Sequence, residues 1–292
     1  MMANSKSLSL LTFNTGLFSL RFFRLNLLDS VPFAKKRLQV IPKIISEKCN
    51  DIVALQEVFY EKHKKFLVEK LKPLYPYVAR KKPNLFGLDN GLVMFSKNKI
   101  IDSKFIPFKS TTFEEKLFAN QGMLTVTVDN PQFGELNFLN VHLAAGGLFR
   151  HPESKLMERI RQEQIEQVLT VAEQEKDNTF IIGDFNAGPQ VSIQNYKTII
   201  QKGFIDLFNL AKKEKKFKFT WDPKNYLNLK GYSPWSPPQR IDHIFVPKQF
   251  KQFVDHIKSN VVFNEAVVHA KKFLKVTPSD HYGLSIKLVK KN

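Results

Sequence analysis

Six polar clusters stand at the ends of apolar runs along this 292-residue chain. Asn14 follows residues 8–13, Gln56 and Glu57 follow 52–55, and His142 closes the run 136–142. Asp184 and Asn186 follow 180–182, Asp242 sits at the opening of 241–246, and Asp280 with His281 precedes 284–288. Glu57, Asp184, Asp280 and Asn14 are hard oxygen donors suited to magnesium, manganese or calcium, while His142 and His281 can supply an acid and a base near neutral pH. A metal beside two histidines suits phosphoester hydrolysis. The cation would polarise a phosphoryl oxygen, one histidine would deprotonate water, and the other would protonate the leaving oxygen. Cys49 is the single cysteine, which excludes an intramolecular disulfide and a cysteine metal cluster and leaves oxygen and imidazole as ligands.

These groups need a scaffold that carries them to one edge. Runs rich in Val, Ile, Leu and Phe at 8–13, 52–55, 92–95, 123–128, 136–142, 180–182, 241–246 and 284–288 predict at least eight strands. Apolar residues at three to four residue spacing predict a helix over 152–172, with Pro152 in its first turn, and a second over 33–49, bent or interrupted at Pro42. Strands and helices interleave without a long polar linker, so one α/β domain spanning 1–292 is expected. Residues 212–239 pass from a lysine run into a stretch dense in Pro, Asn, Trp and Tyr, the composition of a long ordered loop. Period-two alternation turns Asp184 and Asn186 to one side and Phe185 to the core, sets Asn140 beside His142, and points His243 away from Asp242 as a packing residue.

With 43% hydrophobic residues the chain can build a sizeable core. Its net charge of +18 should draw it towards polyanions such as nucleic acid, anionic lipid surfaces or phosphorylated small molecules. No secretory signal is visible, and no apolar run reaches the roughly 20 residues of a spanning helix. A soluble protein is expected, cytoplasmic or peripheral at a membrane, although export by a route without a signal would leave no mark. Two stretches could meet a lipid interface: the apolar and arginine-bearing residues 17–27, which better suit a core element after the first strand, and Tyr232 with Trp235 among the prolines of the irregular loop.

The segments Leu55-Gln56-Glu57-Val58, Asn140-Val141-His142-Leu143, Gly183-Asp184-Phe185-Asn186, Arg240-Ile241-Asp242-His243 and Ser279-Asp280-His281-Tyr282 occur in that order, after Thr12-Phe13-Asn14. Together they resemble the successive motifs of the endonuclease/exonuclease/phosphatase (DNase I-like) superfamily across nearly the whole chain. The resemblance implies a four-layer α/β sandwich, two packed mixed β-sheets flanked by helices, and magnesium-dependent phosphodiesterase chemistry. It assigns the metal to Asn14 and Glu57 with Asp280 in support, the general base to His281 oriented by Asp242, the placing of water and phosphate to Asp184 and Asn186, and phosphate stabilisation or acid catalysis to His142. A two-metal arrangement, with Asp184, Asn186 and His281 on a second ion, is equally compatible. Asn140, Arg240, Tyr232 and Trp235 are the expected substrate-binding groups.

The segments 71–76, Gly91-Leu92-Val93-Met94-Phe95-Ser96-Lys97 and Thr220-Trp221-Asp222-Pro223-Lys224-Asn225 resemble the neutral sphingomyelinase and phospholipase C branch. Ala144-Ala145-Gly146-Gly147 departs from the polar residues of bacterial sphingomyelinases. On the three resembling segments, a membrane (sphingo)phospholipid is the first expected substrate. A nuclease is the alternative, with lysine runs at 212–218 and 80–82 lining a groove. A phosphoinositide phosphatase ranks below it, and the intact set of polar residues argues against an inactive binding module.

Overall fold

The structure is a computed structural model that describes residues 6–17, 19–22, 25–29, 31–81, 89–112, 120–146, 152–175, 178–211, 217–229 and 236–291, with backbone alone for 19–22 and 25–29. Two six-stranded sheets lie face to face. The first contains β1 (Ser7–Asn14), β4 (Ile52–Gln56), β5 (Tyr77–Arg80), β6 (Val93–Ser96), β13 (Val254–Val262) and β16 (Gly283–Lys290), in the order β13-β16-β1-β4-β6-β5. The second contains β7 (Ile100–Pro107), β8 (Gly122–Asn130), β9 (Gly134–His142), β10 (Thr179–Asp184), β11 (Phe204–Asp206) and β12 (Asp242–Pro247), in the order β11-β12-β10-β9-β8-β7. Separate hairpins pair β2 (Ser19–Phe22) with β3 (Leu25–Asp29), and β14 (Val268–Lys271) with β15 (Leu274–Val276). Each of the eight expected apolar runs coincides with a strand of the two large sheets, Leu92 and Ile241 standing one residue before theirs.

Alternation along the strands sorts side chains into layers. Leu8, Leu10, Ile52, Ala54 and Met94 of the first sheet meet Phe138, Phe180, Ile182 and Ile244 of the second in an inter-sheet core. The opposite face of the first sheet, with Leu11, Phe13, Val53, Leu55 and Phe95, packs on helices α1 (Ala34–Lys48) and α2 (Glu61–Leu71). The outer face of the second, with Leu139, Val141, Ile181 and Phe245, packs on α3 (Lys155–Gln174) and α4 (Ile193–Gln201). The order helix, sheet, sheet, helix is the expected four-layer sandwich. A short helix, α5 (Leu207–Leu210), follows β11 and is capped by Asp206.

Two helix details differ from the sequence expectation. The long helix starts at Lys155, capped by the Ser154 hydroxyl accepting from the Met157 amide, so Pro152 lies outside it. Pro42 does not interrupt α1. It sits inside a continuous helix whose apolar face, Leu38, Ile41, Ile44 and Ile45, is buried on the sheet, and that packing offsets the roughly 3 kcal/mol that an interior proline costs.

The inter-sheet layer turns polar as it nears one end. Asn140 of β9 reaches across to the first sheet, donating to the carbonyls of Leu55 (3.2 Å) and Val93 (3.3 Å) and accepting from the Gln56 amide (2.8 Å). Gln56 in turn meets the Thr12 hydroxyl. All three side chains are fully buried. This bridge fixes the two sheets relative to each other directly beneath the polar edge. Asn140→Ala strands the Gln56 donor and two carbonyls, and should lower stability by about 1–3 kcal/mol in chemical denaturation. An unchanged midpoint would show that the sheets are registered by apolar packing alone.

Candidate active site

The register of the strands sets the polar residues in rows. In the first sheet β1 and β4 run parallel, with Asn14 opposite Gln56 and Glu57 just beyond. In the second, Asp184 of β10 pairs with His142 of parallel β9 on one side and with Asp242 of antiparallel β12 on the other. Asn14, Gln56, His142, Asp184 and Asp242 each continue an inward-facing row of the inter-sheet core by one residue. The site is thus the open end of that core.

The side chains converge there. The Asn14 amide donates to Glu57 Oε1 (3.1 Å) and Asp184 Oδ2 (2.8 Å), bridging the two sheets. His142 Nε2 lies 3.8 Å from Glu57 Oε1 and 3.7 Å from Asp184 Oδ2. His281 turns Nδ1 to Asp242 Oδ2 at 3.1 Å and lies 3.8 Å from Asp184, which leaves Nε2 as the atom available for proton transfer. Asp184 accepts from the Asn186 backbone amide, and the Asn186 side chain donates to the Leu143 carbonyl, tying the turn to the strand that ends in His142. Asp280 stands at the rim, bonded to Ser279.

Close approaches and tight turns make this convergence possible. A Cβ at Gly183 (φ +146°) would lie 2.0 Å from the Val141 carbonyl oxygen, so only glycine lets β10 carry Asp184 so near β9. Glu57 (φ +60°) and Asn186 (φ +47°) occupy the left-handed region, which costs of order 1–3 kcal/mol for a residue such as glutamate and persists only where the surroundings over-determine it. Arg37 of α1 supplies part of that bracing. Its buried guanidinium donates to the carbonyls of Thr15 (2.8 Å) and Gly16, beside Asn14, and of Pro278 (3.1 Å), beside Asp280 and His281.

Four carboxyl groups in so small a space perturb one another. Burial pushes Glu57 above the ordinary carboxylate range, and Asp280 adds to that push against the pull of His142. Burial also raises Asp242, with His281 opposing and Asp184 adding. For His281 burial acts against the proton, but the carboxylates of Asp242 and Asp184 prevail and hold the imidazole well above its usual value. His142 Nε2 and Asp242 Oδ1 are buried with no hydrogen-bond partner among the described residues. Orphaned donor atoms, crowded carboxylates and ligands confined to oxygen and imidazole all fit a hard divalent cation. Asp184, Asp242 and His281 offer ligand atoms within 4.8 Å of one another, a second possible cluster that overlaps the Asp242–His281 bond.

The expected substrate-binding groups fare differently. The Asn140 amide is consumed by the bridge below the site, and inter-sheet hydrogen bonding replaces the role expected for it. Arg240 is buried on the far side of β12, paired with Asp206, bonded to Asn209 and lying over the Phe208 ring, so its charge is spent inside the protein. His243 packs as expected, among Phe185, Tyr196 and Phe245, with Nδ1 3.1 Å from Asp206. Tyr232 and Trp235 lie outside the described residues. Sequence reading missed Thr220. Its buried hydroxyl accepts from the amides of Ile241 and Asp242 (both 3.1 Å), while its carbonyl accepts from Tyr282, joining the two halves of the Asp242–His281 pair. Its place in Thr220-Trp221-Asp222 was visible, but nothing local says which strands it would span.

The Endonuclease/Exonuclease/phosphatase family profile matches residues 11–281. Comparison with curated proteins finds no match. Among solved structures, a beta toxin mutant from Staphylococcus aureus with bound magnesium ions superposes with a TM-score of 0.74 at 22% identity, covering 98% of this chain and 100% of its own. Sphingomyelinase C from Streptomyces griseocarneus gives 0.71 at 17% identity, over 97% of this chain and 99% of its own. TDP2 from D. rerio, complexed with single strand DNA product, gives 0.66 at 18% identity, over 97% and 98%. At such identities the likeness establishes the fold.

The Asp242–His281 contact has a titration signature. In metal-free protein, NMR titration should place the His281 imidazole above the ordinary value of about 6.5, and Asp242→Asn should bring it down. The stability conferred by this proton is fully present below about pH 6.5 and is lost as pH rises through the folded value, so the mutant should lose it at lower pH. An unshifted imidazole in wild type would refute the pairing.

Proposed function

The chain belongs to the endonuclease/exonuclease/phosphatase family, and on that premise we propose that it is a magnesium-dependent phosphodiesterase acting on a phospholipid at a membrane surface, in the manner of a sphingomyelinase or phospholipase C. The observation that carries the phosphodiesterase reading is the Asp242–His281 pair facing the Asn14–Glu57 pair across the open end of the inter-sheet core. In its neutral form, His281 Nε2 takes a proton from the attacking water. Asp242 holds the ring through Nδ1 and stabilises the imidazolium that results. Asp184 and Asn186 place the water and the phosphate, and His142, whose Nε2 makes no hydrogen bond among the described residues, stabilises the phosphate or protonates the leaving oxygen. Glu57, Asn14 and Asp280 would hold the cation, which when bound neutralises charge on the phosphoryl oxygens.

A further observation supports a lipid substrate. Phe273 at the tip of the β14–β15 hairpin is 92% exposed, between Lys271, Lys272 and Lys275. Tyr226 and Leu229 are exposed on the adjoining turn, whose Leu227 packs against Val268, Ala270 and Val276 of the hairpin. The same turn is bonded to the catalytic loop, Asn225 to the carbonyls of Ser279 and Asp280, and Asn228 to that of Asp280. An apolar tip ringed by lysines suits an anionic interface. Of the stretches that composition suggested for this task, Leu17 is fully buried in the core against α1 and α2. Among the described residues no helix is long and apolar enough to cross a membrane. The net charge of +18 favours nucleic acid as the alternative substrate.

Wild type and His281→Ala, assayed side by side on sphingomyelin liposomes and single-stranded DNA with magnesium, distinguish the two. Water-soluble phosphocholine released by wild type and lost by about 10²–10⁴-fold in the mutant is the expected result. DNA cleavage alone would make the protein a nuclease, and full activity in EDTA would remove the cation from the chemistry. Phe273→Ala should weaken liposome binding about tenfold and leave hydrolysis of a soluble phosphodiester unchanged. Equal loss on both substrates would refute docking through the hairpin.

A further inference from the structure

Lys64 and Asp89 form an ion pair with side chains 0% and 1% exposed, outside the cluster of catalytic groups. Lys64 projects from the buried face of α2, beside Leu67 and Leu71, and its ammonium donates to Asp89 Oδ1 and to the Leu92 carbonyl (3.3 Å). Asp89 Oδ1 also accepts the Gly91 amide (2.9 Å), and Asn90 Oδ1 accepts that of Leu92 (2.8 Å). The pair therefore determines the shape of the loop 89–92 and locks it to α2.

That loop is fastened to the turn bearing Glu57. The Val58 amide donates to the Gly91 carbonyl (2.9 Å) and the Asp89 amide to the Phe59 carbonyl (3.2 Å). Gly91 (φ +74°) is in contact range of the Phe59 ring, where a Cβ would stand 3.0 Å away. On its other side the turn is held by Thr15, whose amide and hydroxyl both donate to the Gln56 carbonyl (3.0 and 2.8 Å). Glu57 sits between these anchors in the left-handed region. An unbraced glutamate would relax out of that conformation and swing its carboxylate away from Asn14.

We propose that the buried Lys64–Asp89 pair is a positioning clamp for the Glu57 carboxylate, and that it thereby sets the affinity of the site for its divalent cation. The proposal rests on the reading of Glu57 as a metal-holding residue. A buried charged pair of this kind holds one geometry because losing one partner leaves the other's charge uncompensated. The double variant Lys64→Met/Asp89→Asn removes both charges together and keeps an acceptor for the Gly91 amide.

Magnesium binding to the whole protein, followed by isothermal titration calorimetry, tests the clamp alongside the magnesium concentration for half-maximal hydrolysis. The double variant should bind magnesium 10- to 100-fold more weakly, with kcat recovering towards wild type at saturating magnesium. Glu57→Gln should weaken binding as well, and adding it to the double variant should bring little further loss, because the pair acts through Glu57. Unchanged affinity in the folded double variant, or losses that simply add, would overturn the clamp while leaving the metal site intact. Wild type that binds no magnesium, or Glu57→Gln that binds it normally, would overturn the metal reading and the clamp with it. If the double variant does not fold, Lys64→Gln/Asp89→Asn, which also removes both charges and keeps a donor for the Leu92 carbonyl, supplies the same comparison.

Discussion

The hydrogen-bonded bridge of Asn140, Gln56 and Thr12 between the sheets is the constraint on which the site depends. Two apolar faces packed together can slide and rotate with little change in buried area, since the hydrophobic effect has no direction. Buried amides do not allow this, because each unsatisfied group costs more than the net worth of a made bond. By pinning the first sheet to the second one layer below the edge, the bridge holds Asn14 and Glu57 at a set distance from His142, Asp184 and Asp242. At the edge itself the Asn14–Asp184 hydrogen bond adds a second link between the two sheets.

Around that junction the protein concentrates negative charge. Glu57, Asp184, Asp242 and Asp280 approach one another within a largely buried space, and the protonation of Glu57, Asp242 and His281 departs from ordinary values as a result. Such an arrangement is unfavourable to folding by itself, and it is held by the rest of the structure: a left-handed glutamate, a glycine that only just clears the neighbouring strand, and Arg37 clasping the carbonyls of both loops. Repulsion stored in this way suits a group that arrives with two positive charges.

The elements that frame the mouth repeat the same logic with different chemistry. Arg161 of α3 holds the Ala144 carbonyl (2.9 Å) beyond His142, as Arg37 holds the carbonyls beyond Asn14. Asn225 and Asn228 fasten the turn beneath the β14–β15 hairpin to the loop bearing Asp280 and His281, and Leu227 of that turn packs on the hairpin. A protein docked by that tip would present its site to the interface in one orientation.

Alternating apolar runs bounded at one end by Asn14, Glu57, His142, Asp184 or Asp242 are written into the local sequence, because period-two burial and the hydrophobicity of strands are properties of neighbouring residues. From them the α/β sandwich, the gathering of polar side chains at one edge and the packing of His243 were all legible. Asn140 and Arg240 looked like substrate ligands because their motifs place them beside His142 and Asp242. Their partners, Leu55 and Val93 for one and Asp206 for the other, are 34 or more residues away in sequence. Thr220, the Lys64–Asp89 pair and the exposed Phe273 were invisible for the same reason. A side chain's type states what bonds it can make, but which partner satisfies it, or whether solvent does, is settled only when distant strands and loops are brought together.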